Sequence, residues 1–185
     1  PVGRYLVRSG DVVATGELRS HLDADPDGTV DVTGHSLGGH LAMAFAALFP
    51  AVTASVTVFN APGFYDSTTN RSFFGRLSGL FPDNTAIGHK VTNVFGSEVA
   101  AKDGVAGGFH AIAGLHSRPG LGVDVAIENQ WISTEPMPPA ARNHSQMVLA
   151  DALAVHALFD VVQPGALTST MLTLLPASTN LEHAG

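Results

Sequence analysis

The sequence predicts an α/β protein with a mostly parallel sheet and flanking helices, and three stretches carry that expectation. From Thr29 to Thr33, β-branched residues fall on alternate positions, which reads as a strand. A glycine-flanked turn follows at Gly34-His35-Ser36-Leu37-Gly38, after which Leu37, Leu41, Ala44, Phe45 and Leu48 recur at helical spacing until Pro50 stops them. A second β-rich run between Ala51 and Asn60, with Val52, Val56, Val58 and Phe59, completes β-α-β. In such a sheet, sites collect at the carboxyl ends of the strands.

The chain has 185 residues, 45% of them hydrophobic and 14% charged, enough for one sizeable core. One domain is expected over residues 1–162. Residues 163–185, rich in Thr, Ser, Ala and Pro, read as a linker or tail. The net charge is −7 and the lysines are Lys90 and Lys102, so no basic surface exists to hold a phosphate backbone, and nucleic acid is not an expected partner. Cysteine is absent, which removes disulfides, thiol catalysis and Cys-based metal sites. No apolar run approaches the ~20 residues of a membrane span.

Upstream of the first strong strand, Tyr5 to Val7 read as a strand remnant. Ser9 or Asp11 is then expected to cap a helix carrying Val12, Val13, Leu18 and Leu22. Asp23, Asp25, Asp27 and Gly28 match the opening of a calcium loop. The glutamate that would complete it is replaced by Gly34, so the segment reads as an acidic turn and no metal is expected.

Downstream, Phe73, Phe74, Leu77, Leu80 and Phe81 share one stripe of a helix expected over Ser67 to Phe81, with Arg71 and Arg76 off it. This reads as a packed crossover helix, with a lipid-facing lid as the alternative. Val91, Thr92, Val94 and Phe95 form a strand ending at Gly96-Ser97-Glu98, Val123 to Ile127 another, and Ser145 to Val162 a long helix.

The chemistry is concentrated in the turn. Gly34-x-Ser36-x-Gly38 between strand and helix is a nucleophile elbow: Gly34 and Gly38 are expected where a side chain would collide with strand or helix, Gly39 adds clearance, and Ser36 is pushed out above the sheet. The backbone N–H of Leu37, at the helix N-terminus, is placed to stabilise an oxyanion. His35 beside the nucleophile, and Asn60 and Pro62 in the strand-end turn Asn60-Ala61-Pro62-Gly63-Phe64, are the expected substrate-binding residues, with a plain Pro-Gly turn as the alternative for the last two.

A serine nucleophile needs a histidine base, and the histidine needs a carboxylate to fix its tautomer; in the α/β-hydrolase order both follow the serine in the chain. Glu98 directly after a strand leads among the carboxylates. Asp103, five residues deeper, is the alternative, while Asp124 and Glu128 flank a later strand. Among the histidines, His35 and His40 lie within the elbow, His89, His110 and His116 before or in the loop region 96–120, His156 in mid-helix and His183 in the tail. His144 follows a Pro-rich loop and opens a helix, where this fold delivers its base.

Val32-Thr33-Gly34-His35-Ser36-Leu37-Gly38-Gly39-His40-Leu41-Ala42, Val58-Phe59-Asn60-Ala61-Pro62-Gly63, Glu98-Val99 and Asn143-His144-Ser145 together resemble the class 3 lipases among the α/β-hydrolases, particularly lipase-like domains of large secreted bacterial proteins. The likeness runs over roughly residues 29–162. It implies an α/β-hydrolase-like fold and ester hydrolysis of lipids through Ser36, a carboxylate and His144, without a cofactor. The family's usual acid is Asp, so Glu98 is a departure that keeps Asp103 open. In this fold a second oxyanion donor comes from a loop after a strand well upstream of the elbow, and only 35 residues precede Ser36. The chain is therefore expected to lack the N-terminal strands and to be the C-terminal portion of a larger domain. The expected function is a lipase or phospholipase-type serine hydrolase, secreted, with an ester or lipid substrate and transient contact with a lipid interface. A soluble-ester esterase or thioesterase, and an inactive interaction module, are the alternatives.

Overall fold

A computed structural model describes residues 28–98, 118–127 and 144–164, Ala24, and the backbone of residues 4–8 and 11–15; of Ser97 and Glu98 too it describes the backbone. Asp103, the acidic turn at Asp23, Asp25 and Asp27, the Pro-rich loop before His144 and the tail from residue 165 onward lie outside the described residues.

The region expected to hold the first helix instead starts as a hairpin. β1 (Arg4–Arg8) and β2 (Asp11–Thr15) pair antiparallel, from Arg4 opposite Thr15 to Arg8 opposite Asp11. Only Ser9 and Gly10 separate the strands, a connection length that favours a tight hairpin, and Tyr5, Val7, Val12 and Val13 are strand formers. Four apolar residues at loose helical spacing were too weak a periodicity to oppose that.

Among the described residues the other four strands make one sheet in the order β3 (Val30–His35), β4 (Thr53–Phe59), β5 (Val91–Glu98), β6 (Leu121–Ile127), in keeping with the expected parallel α/β architecture. β3 and β4 are parallel, with Gly34 opposite Val58 and His35 opposite Phe59, and one irregularity at Val30/Asp31. Among the described strands β3 stands at one end of this sheet, and β1 and β2 pair with each other. The chain separates into two compact units. The first comprises residues 1–93 with 116–121, the second residues 94–115 with 122–185.

In the first unit, α1 (Leu37–Leu48) runs to the boundary expected from Pro50. It buries Gly39, Ala42, Met43, Ala46 and Ala47, a stripe of helical period, against Val56 and Val58, which alternate along β4. Each fully buried side chain such as Met43, Val56 or Val58 contributes about 1.5–3 kcal/mol by leaving water. Beyond the helix, Thr53 Oγ1 donates to Phe49 O at 2.8 Å. Lys90 Nζ donates to Pro50 O and Thr53 O at 2.7 and 2.6 Å, placing a cation close to the carboxyl end of α1.

α2 (Thr68–Leu77) is capped by Ser67, whose hydroxyl accepts from Asn70 N at 3.2 Å. It stops four residues earlier than expected, because Ser78 leaves helical geometry and Gly79 turns to φ +76°. Phe74 is its anchor in the core, edge-on to Phe64 and Phe81, while Phe73 on the same helix is 55% exposed. Phe74 is thus the buried residue of α2.

In the second unit, Val94, Val125, Ile127, Leu149 and Ala152 are buried. Gly96 of β5 lies so close to Ile127 of β6 that a Cβ there would meet its Cδ1 at 2.8 Å. α3 (Gln146–Val162) is capped by Ser145, which accepts from Met147 N at 3.2 Å. His156 of α3 reaches Ala126 O of β6 at 3.2 Å. No helix among the described residues is long and apolar enough to cross a membrane.

Candidate active site

Ser36 stands between β3 and α1 with φ 56° and ψ −124°, a conformation that residues with a Cβ seldom hold without support. Two backbone bonds fix it: Ser36 N donates to Phe59 O at 2.9 Å, and Ser36 O accepts from His40 N at 3.1 Å. Its side chain makes no capping bond to α1, although serine is a strong helix cap. The hydroxyl is therefore not committed to the helix end. Leu37, first residue of α1, carries an amide with no acceptor four residues back in the helix. The elbow geometry expected from the sequence is in place.

Its glycines divide the work differently from expectation. A Cβ at Gly34 would run into the backbone of Gly38 and Gly39, and one at Gly39 would come within 2.5 Å of Ala61 Cβ and 2.9 Å of Gly34 O. Gly38, expected to be crowded, has nothing within 4 Å of such an atom. The close approaches belong to Gly34, where strand meets helix, and to Gly39, where α1 meets the end of β4.

That end of β4 is a second strained turn. Asn60 has φ 46° and is fully buried, Ala61 and Gly63 are buried, and Pro62 is half-buried. Asparagine is among the residues that tolerate a left-handed backbone. His35, the last residue of β3, is half-buried and paired with Phe59. His35, Ser36, Leu37, Asn60 and Pro62 therefore gather at the carboxyl ends of two adjacent parallel strands. Leu37 and Leu41, one turn apart on α1, are 65% and 60% exposed.

Glu98 and His144 belong to the second unit. Glu98 closes β5 as its last residue rather than following it. His144 is half-buried in the turn immediately before Ser145 and α3, as expected.

One contact was not legible in the sequence. His40, beyond the elbow on α1, stacks its ring on Phe64 with centroids 4.1 Å apart and planes 27° apart, and its Nδ1 lies 3.4 Å from Pro62 O. The partners are more than twenty residues away, and no spacing signals them.

Other features fall away from the elbow. A groove of about 490 Å³ follows α2, and its described lining, Thr68, Thr69, Ser72, Phe73, Arg76 and Leu77, contains none of the candidate residues. Asp66 and Arg71 form a bidentate pair at 2.5 and 2.7 Å, which holds the Asp66 carboxyl below the usual carboxylate range and raises Arg71. The Arg71 guanidinium also lies 4.7 Å from the Phe81 ring centre. Among the described residues no group of three or more His, Cys, Asp or Glu is placed to hold a metal ion.

No protein-family model matches the chain, and no curated protein matches it. Among solved structures, it is similar to MGS-MChE2, an α/β hydrolase enzyme from the metagenome of sediments of the Mar Chica lagoon, Morocco. The identity is 15% and the TM-score 0.29. The likeness covers 77% of this chain and 66% of that one, so it spans just under two thirds of the neighbour's length.

Proposed function

We propose that the protein is a serine hydrolase that cleaves carboxylic esters by acyl transfer. The observation that carries the reading is Ser36, held at φ 56° on the apex of a strand–turn–helix with its hydroxyl not spent on capping. In the proposed reaction His144 removes the Ser36 proton as its oxygen attacks the ester carbonyl, and the Leu37 amide stabilises the oxyanion. The alkoxide leaves with the proton from His144, and water, deprotonated by His144, releases the acyl group and restores Ser36. Glu98 is assigned the orientation of His144, with Asp103 as the alternative acid.

Lipid esters are the proposed substrate class. The support is the resemblance of the elbow and the Asn60-Ala61-Pro62-Gly63 turn to class 3 lipases, together with the exposed apolar side chains Leu37, next to Ser36 in the chain, and Leu41, one helical turn further. Secretion is part of the same proposal and rests on the resemblance alone.

A fluorophosphonate probe tests the reaction class, with adduct formation on Ser36 expected and its loss in Ser36→Ala. Rates on emulsified long-chain against short soluble esters test the substrate class; preference for the soluble ester would favour an esterase. A folded protein that takes no label would leave the reading without its nucleophile.

A further inference from the structure

We propose that His40 is a positioning residue for Ser36, acting through the turn at the carboxyl end of β4; the proposal rests on the serine hydrolase reading above. His40 is excluded as the base by its place four residues beyond the nucleophile, yet its ring is not simply a solvated side chain. It is half-buried, stacked on Phe64 and directed through Nδ1 at the Pro62 carbonyl.

The contacts close a ring. The Ser36 amide donates to Phe59 O, the chain passes through Asn60 and Ala61 to Pro62, Pro62 O faces the His40 ring, and the His40 amide returns to Ser36 O. Two residues in this ring, Ser36 and Asn60, hold positive φ without being glycine. Such conformations persist only where their surroundings over-determine them. Gly39 lets Ala61 approach α1 but supplies only clearance, whereas His40 supplies the polar link that ties the far side of the turn to the elbow helix.

A carbonyl can only accept, so the link requires the tautomer that carries its proton on Nδ1. With the link made, Phe59 O is held where it fixes the Ser36 backbone. Without it, the turn keeps its apolar packing through Phe64 but loses the bond that sets its distance from α1.

The test separates the hydrogen bond from the stack. His40→Phe and His40→Leu remove the donor, and His40→Phe keeps an aromatic ring for Phe64. His40→Asn removes the ring and places an amide N–H near the position of Nδ1. The readout is the rate of fluorophosphonate labelling of Ser36 in the full chain, with thermal unfolding measured in parallel. Labelling about five- to tenfold slower in His40→Phe and His40→Leu, with His40→Asn within about twofold of the parent, is expected for one lost hydrogen bond. Parental rates in His40→Phe with a slow His40→Asn would reduce His40 to a packing residue and overturn the proposal, as would parental rates in all three. Absence of label in the folded parent would instead overturn the hydrolase reading, and this role with it. Labelling that survives Ser36→Ala would do the same.

Discussion

The Ser36 amide donates to the carbonyl of Phe59 at 2.9 Å, so the serine at the apex of the turn is anchored to the neighbouring strand and not only to the strand and helix that it joins. The strand-end turn from Phe59 to Pro62 is consequently part of the site's frame.

Replacement of the proposed nucleophile and base should be equally damaging. Ser36→Ala and His144→Ala are each expected to lower kcat/KM for ester hydrolysis at least ~10⁴-fold, because members of a triad act as a unit. Unfolding temperatures should stay close to the parent, and ester turnover together with calorimetry checks both.

For the acid, Glu98→Gln is expected to lower kcat by about 10³- to 10⁴-fold with KM little changed, since orientation and charge stabilisation of the imidazolium act mainly in the transition state. Asp103→Asn should cost far less. Steady-state kinetics of the two variants ranks them, and the reverse order would assign the acid to Asp103.

The unequal roles of the elbow glycines give a stability test. Gly39→Ala would press a Cβ to 2.5 Å from Ala61 Cβ and 2.9 Å from Gly34 O, and should destabilise by about 1–3 kcal/mol through overpacking. Gly38→Ala meets open space and should be neutral or stabilising by up to ~1 kcal/mol, as alanine is the better helix former. Denaturant titrations of the two variants measure the contrast.

The Asp66–Arg71 pair predicts a pH dependence with a definite sign. The hydrogen bond from Arg71 lowers the Asp66 pKa in the folded chain, so its contribution is present above the ordinary carboxylate pKa of ~4 and is lost as pH falls through the folded value. Asp66→Asn should therefore lower the unfolding temperature slightly at pH 6 and progressively less as pH falls below the ordinary carboxylate range. The effect is small because both side chains are more than half exposed, and salt should shrink it further. Melting curves across that range, with and without added salt, check the sign.

The elbow and the elements around it were determined by the sequence on its own: β3, α1 and β4 declare themselves through alternation, helical spacing and Pro50, and Ser36 sits between them. Each of these elements is contained within at most 12 consecutive residues, where steric rules and periodicity act directly. The starts of the two later helices were legible as well, and Ser67 and Ser145, where the sequence places them, are the capping residues. Four things waited on the tertiary structure: that Gly39 and not Gly38 is crowded, that His40 reaches Pro62, that β1 and β2 pair with each other where a helix was expected, and that β3 ends the described sheet. Each depends on which segments meet. Gly38 and Gly39 are the same residue in the same helix turn, and what distinguishes them is what each faces: Ala61, Gly34 O and Val58 for Gly39, open space for Gly38. The hairpin depends on backbone pairing between two segments, from Arg4 opposite Thr15 to Arg8 opposite Asp11, which helix spacing within one segment does not contain.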